Sequence, residues 1–354
     1  MANTIKPRAA TEGRPYSTFH ETQMMRITLV LNFILLLAVG NAFSQDKPAL
    51  RELDRTRLAE AFRLGDQLGD QLWPGWSKAP FAVLLVTPDK EFLIRHPRPS
   101  TDFTSIGYDT KLKSEIFYRD RKFQTNLLAT FPAVGGISTI VIGQAENTAS
   151  KTSTPWVITL MHEHFHQLQD AQPNFFKDIE ALNLSRGDQT GMWMLNYPFP
   201  YEKPEVSKQF SVLVRLLLDA MQTKSKAKLS DYLSARDALR KMLSADDYKY
   251  FSFQLWKEGI ARYTEYRVAK WAATKYRPTP EFRRLDDFTT FSSTADQVYD
   301  GIVHELSTLK IEEYKRVAFY PIGAGEGLLL DRSKPQWRNW YFAEKFDNWT
   351  YFMH

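Results

Sequence analysis

The segment Thr154 to Gln169 carries His162, Glu163 and His166 in the pattern H-E-x-x-H, set among apolar residues. On an α-helix, positions i and i+4 share one face, a turn apart. Two imidazoles placed so reach one metal ion, zinc above all, and the intervening Glu faces the same site as a base. The helix is predicted by its start, with Thr154 as N-cap and Pro155 preorganised for the first turn. Val157, Ile158, Leu160, Met161, Phe165 and Leu168 give it positions to bury, which disfavours a surface helix merely rich in His and Glu. His164 lies about 200° around the helix from His162 and is assigned to packing rather than to the site.

The order of the remaining segments constrains the fold class. An amphipathic helix is predicted over 50–72, ended by the turn Trp73-Pro74-Gly75-Trp76 with its two aromatic anchors. Phe81 to Thr87 is a short β-rich run, and Pro88-Asp89-Lys90 turns it into Glu91 to His96. Residues 97–115 read as loop, Ile116 to Phe123 as a strand, and Ser138 to Gly143 as the clearest strand. After the motif, a proline-rich loop precedes helical periodicity over 205–222, 230–243, 246–273, 293–314 and 322–330, then an aromatic tail. Strands before and helices after predict an α+β fold, a small, mainly antiparallel sheet followed by a helix-rich half. Segments 45–153 and 154–354 are read as two parts of one catalytic domain.

At 43% hydrophobic and 14% aromatic, the chain can bury a large core. It has no cysteine, so a metal must be held by His and carboxylates. The net charge of +5 is spread without a basic run, which argues against a nucleic-acid partner. Residues 1–44 read as an amino-terminal extension and signal peptide. Arg26 precedes the apolar run Ile27 to Val39, and Ala42-Phe43-Ser44 has a small-x-small cleavage pattern. The expectation is a secreted or periplasmic protein with no stable membrane insertion after cleavage; an uncleaved amino-terminal anchor is the alternative.

Two histidines leave a catalytic zinc site one protein ligand short. Glu258, 92 residues after His166 in Glu258-Gly259-Ile260-Ala261-Arg262-Tyr263, is the candidate third ligand, and Gly259 beside it would let another backbone come close. H-E-x-x-H followed by Glu-Gly-x-Ala-x-Tyr resembles the gluzincin metallopeptidases, the group of thermolysin, aminopeptidase N and peptidase-MA-like proteins. The resemblance covers roughly residues 137–330 and implies a zincin-like fold. It also implies zinc on His162, His166 and Glu258, with Glu163 as general base and a peptide or protein as substrate. Tyr320-Pro321-Ile322-Gly323 resembles the Tyr-x-x-Gly whose tyrosine stabilises the oxyanion in aminopeptidase-N-like enzymes. His304 is a weaker rival for that role.

Glu265 and Asp170 are candidates to orient a ligand histidine; at the position where thermolysin has such a carboxylate, this chain has Arg262. The strand with Ile140 and Ile142 stands where zincins place a substrate-aligning edge strand. Glu146, in Gly143-Gln144-Ala145-Glu146-Asn147, imperfectly echoes an amine-binding Glu of aminopeptidases. Two other functions stay open: a catalytically inactive zincin-fold binding protein, and a zinc hydrolase of non-peptide amides or esters. Gly323-Ala324-Gly325-Glu326-Gly327 follows no clear strand and is assigned to close helix packing rather than nucleotide binding.

Overall fold

In the computed structural model, which describes residues 48–354, six strands make one mixed sheet. The signal-peptide reading falls outside the described residues. The strands are β1 (Val83–Val86), β2 (Lys90–Ile94), β3 (Thr104–Asp109), β4 (Ser114–Asp120), β5 (Leu128–Val134) and β6 (Ile137–Gly143). Their order is β3-β4-β2-β1-β6-β5. All neighbours are antiparallel except β1 and β6, which are parallel. The β1–β2 hairpin closes at the predicted turn, where Thr87 N donates to Lys90 O at 2.9 Å.

The two strands not foreseen, β3 and β5, are the edges of the sheet. Both are only part-buried and so lack the apolar run that marks a central strand. Each is interrupted as well: β3 bulges around Gly107, whose φ is +115°, and β5 shifts register around Pro132. Residues 97–115 are therefore not all loop.

Alternation along the central strands gives the sheet two apolar faces. Leu84, Val86, Leu93 and Val141 cluster with Phe103 and Val134 on one. Val83, Leu85, Ile140 and Ile142 join the main core on the other. That second face meets α1 (Glu52–Leu68) and α2 (Ser153–Asp170), with Trp73 and Trp76 buried beside them. Because α2 touches the sheet, α1 and later helices, it is buried on nearly every side. Its start differs from the predicted one: α2 begins at Ser153, and Thr154 is inside it rather than its cap. The capping acceptor comes from a distant loop instead, Asp287, which takes Ser153 N–H at 3.0 Å and Ser153 Oγ–H at 2.6 Å. Thr154 Oγ1 donates to Thr289 O at 2.6 Å, so both residues anchor the same loop.

The helix-rich half contains α3 (Pro204–Gln222), α4 (Lys226–Met242), α5 (Ala245–Gln254), α6 (Ile260–Lys275), α7 (Phe291–Thr308) and α8 (Phe319–Ser333). A π-helical turn, Leu255–Gly259, joins α5 to α6 within the single helix predicted over 246–273. Gly259 and Gly323 bring this turn and α8 into backbone contact: a Cβ on Gly259 would lie 2.5 Å from Gly323 Cα. Gly325 and Gly327 lie equally close to Leu217 and Tyr263, so the glycine-rich run is a packing surface as expected. The aromatic tail folds back on this half, and Tyr341 stacks on Trp256 at 4.5 Å. No helix among the described residues is long and apolar enough to cross a membrane.

Candidate metal centre

α2 supplies His162 and His166 one turn apart, and the π-helical turn supplies Glu258 from the facing helix. A π-turn adds a residue to the helix and re-aims the side chains around it, a distortion frequent at functional sites. His162 Nε2 and His166 Nε2 are 3.1 Å apart, His166 Nε2 is 3.3 Å from Glu258 Oε2, and His162 Nε2 is 4.0 Å from it. Ligand atoms about 2.0–2.1 Å from a tetrahedral zinc ion stand about 3.4 Å from one another. The three atoms therefore already span a coordination sphere. All three residues are nearly buried, and their ligand atoms lie within 4.8 Å of one another.

Both imidazoles are oriented through Nδ1, so that their Nε2 atoms face each other and Glu258. Glu265, the anticipated orienting carboxylate, faces His162 Nδ1 at 2.6 Å. Glu265 is held below the usual carboxylate range: burial pushes it up, but Arg262 and His162 outweigh that. It thus accepts the Nδ1–H, which turns Nε2 towards His166 and Glu258. His166 Nδ1 lies 2.7 Å from Gln169 Oε1, while Gln169 Nε2 donates to Tyr341 Oη at 2.7 Å and Lys257 O at 3.2 Å. The amide orientation set by those acceptors makes His166 the Nδ1–H donor as well. Two imidazole nitrogens and a carboxylate oxygen converge, a donor set that could hold a metal ion.

The field agrees. Burial lowers the pKa of His162, yet Glu265, Glu163 and Glu258 together raise it above its ordinary value, so positive charge is favoured at this point. Burial likewise pushes Glu258 up, but His166, Lys257 and His162 hold its carboxyl far below the usual range. Glu163 is buried next to His162, and Thr130 of β5 donates to its Oε2 at 2.7 Å and to its carbonyl at 3.1 Å. Tyr320, at the start of α8, lies with its ring 6.5 Å from that of His162 and nearly parallel to it. Burial and Glu258 raise the phenol well above its ordinary pKa, so it stays protonated.

Several expected residues lie elsewhere. Strand β6 is interior, paired with β1 and β5, and Ile140 and Ile142 are fully buried, so neither can meet an extended substrate. Among the described residues, the unpaired sheet edge beside α2 belongs to β5, the strand that carries Thr130. Glu146 is engaged by Arg51 at 2.6 Å and Arg57 at 3.4 Å, at the start of α1. Asp170 accepts from Ser138 Oγ at 2.6 Å and faces Lys257 at 3.9 Å rather than a ligand imidazole. His164 stacks on Phe81 at 3.8 Å, and burial drives its pKa down to about 4 in spite of a bond to Gln167. His304 is exposed. Gln169, three residues after His166, holds the place expected of Asp170, and its only signal in the sequence is i, i+3 spacing on the same helix face. Thr130 carries no local signal.

Comparison with protein-family models, with curated proteins and with solved structures finds no match.

Proposed function

We propose that the chain is a zinc-dependent metallopeptidase of the gluzincin type on a zincin-like scaffold, acting on a peptide or protein. The observation that carries this reading is the convergence of His162 Nε2, His166 Nε2 and a Glu258 oxygen next to Glu163. Three protein ligands of this kind leave one tetrahedral position open, as catalytic rather than structural zinc sites do. An ion bound there supplies Lewis acidity, polarising a carbonyl and making water nucleophilic near neutral pH.

The remaining work belongs to side chains. Glu163 takes a proton from the attacking water and passes it to the departing nitrogen. Thr130 occupies Oε2 of Glu163, so Oε1 is the oxygen left for that proton. Tyr320, kept protonated by its surroundings, donates to the carbonyl oxygen as charge grows on it. Glu265 and Gln169 keep both imidazoles in orientation throughout. The free edge of β5 supports a peptide, because an extended chain can add to it by main-chain hydrogen bonds.

The test is digestion of a peptide library by zinc-loaded protein, read by mass spectrometry and repeated with Glu163→Gln. Losing the general base is expected to slow cleavage by about 10²- to 10⁴-fold with zinc content unchanged. A wild-type protein that holds zinc but cleaves no peptide overturns the reading.

A further inference from the structure

Two guanidinium groups flank the centre, and they are partnered very differently. Arg262 is committed on both sides: Nη1 to Glu265 at 2.5 Å and Nη2 to Glu305 at 3.0 Å. Arg316 sits in the 3-10 turn Lys315–Ala318, immediately before α8. Its Nη1 donates to Tyr320 Oη at 2.9 Å. The nearest carboxylate, Glu258 Oε1, is 4.0 Å away, beyond hydrogen-bond reach. Among the described residues, neither Nε nor Nη2 of Arg316 has a hydrogen-bond partner, although only 22% of the side chain is exposed.

We propose that Arg316 selects substrates bearing a carboxylate close to the bond that is cut. This rests on the metallopeptidase reading above. The Nε/Nη2 edge of a guanidinium matches a carboxylate bidentately, and here that edge is free while Nη1 is tied down. Holding Tyr320 uses one of five N–H donors and needs no charge at all. A cation beside a metal ion is repelled by it, the more so because Glu258, the nearest counter-charge, is shared with that ion. An anionic group on the substrate removes this mismatch and a neutral substrate does not, which gives selection by both attraction and exclusion.

The test uses zinc-loaded Glu163→Gln protein, which holds substrate without turning it over, and three labelled hexapeptide pools. One has a free terminal carboxylate and no Asp or Glu; one is amidated but contains Asp and Glu; one is amidated and free of acids. Affinity is read by fluorescence anisotropy, with zinc content and melting temperature measured alongside. At least one carboxylate-bearing pool is expected to bind about tenfold or more tightly than the acid-free pool. Which pool it is tells whether the α-carboxylate or an acidic side chain is recognised. Arg316→Gln should abolish that preference and Arg316→Lys keep only part of it, both with one zinc per chain. The proposal is overturned if all pools bind alike or none binds, or if Arg316→Gln weakens the acid-free pool by the same factor. In that last case Arg316 acts only through Tyr320 or Glu258. A wild-type protein that takes up no zinc overturns the metallopeptidase reading itself, and this proposal with it.

Discussion

Replacing Gly323 with alanine tests whether backbone contact between two helices sets the catalytic geometry. An added Cβ would lie 2.6 Å from Leu255 O and 2.7 Å from Gly259 Cα. Ordinary contact begins at 3.4 Å, and both obstacles are backbone, which cannot swing aside. The helices must therefore part by roughly 0.8 Å. Overpacking of that kind costs about 1–3 kcal/mol. In a chain of 354 residues that lowers the melting temperature by roughly 1–4 °C. Tyr320 lies one turn before Gly323, and Glu258 adjoins Gly259, so the same separation pulls the phenol away from the metal ligands. A shift approaching 1 Å costs up to about 10²-fold in rate. The assay pairs thermal unfolding with kcat on a peptide that the wild-type protein cleaves. Gly301→Ala in α7 is the control, since its Cβ would meet nothing closer than Arg262 Nη2 at 3.4 Å, and it should be neutral or stabilising. A Gly323→Ala protein that melts within about 1 °C of wild type, with unchanged kcat, would refute the reasoning.

Other perturbations address the surrounding shell. Glu265→Ala and Gln169→Ala each free a ligand imidazole to turn and should weaken zinc binding by about 10- to 100-fold in titration. Unchanged affinity would show that the rings are held by packing alone. Thr130→Val, nearly isosteric, releases Glu163 Oε2 and should lower kcat while leaving zinc affinity intact; equal kcat would remove Thr130 from the mechanism. His96 is buried and its pKa is lowered, chiefly by burial, partly offset by Val134 O and reinforced by Arg98. Its neutral ring accepts from Arg98 N at 3.1 Å and lies 3.2 Å from Val134 O, a pairing that protonation would break. A lowered folded pKa means stability is present above about pH 6.5 and lost as pH falls below it. His96→Gln should flatten this part of the denaturation profile; an unaltered slope would contradict it.

How much was legible in the sequence depended on whether the signal was local. α2 and its ligands could be read because i, i+4 spacing and an apolar surround are properties of sixteen consecutive residues. Glu258 could be read because a glycine inside a helix, next to an acid, demands a close neighbour, and Gly323 is that neighbour. The edge strands could not: β5 has no apolar run, contains Pro132, and earns its place only by pairing with β6. With β5 outside it, β6 is an interior strand rather than the edge its sequence suggests. The cap of α2 was equally invisible, since Asp287 comes from 134 residues away. The π-turn has no compositional mark; it follows from packing that turns Glu258 towards α2 while Trp256 stays in the core.

The central claim is that His162, His166 and Glu258 form one metal site. Calorimetric titration of zinc into metal-stripped protein, wild type beside Glu258→Ala, tests it most directly. The account predicts one ion per wild-type chain and an affinity at least about 100-fold weaker without the Glu258 carboxylate. No saturable binding in the wild type, or the same affinity in both proteins, would contradict it.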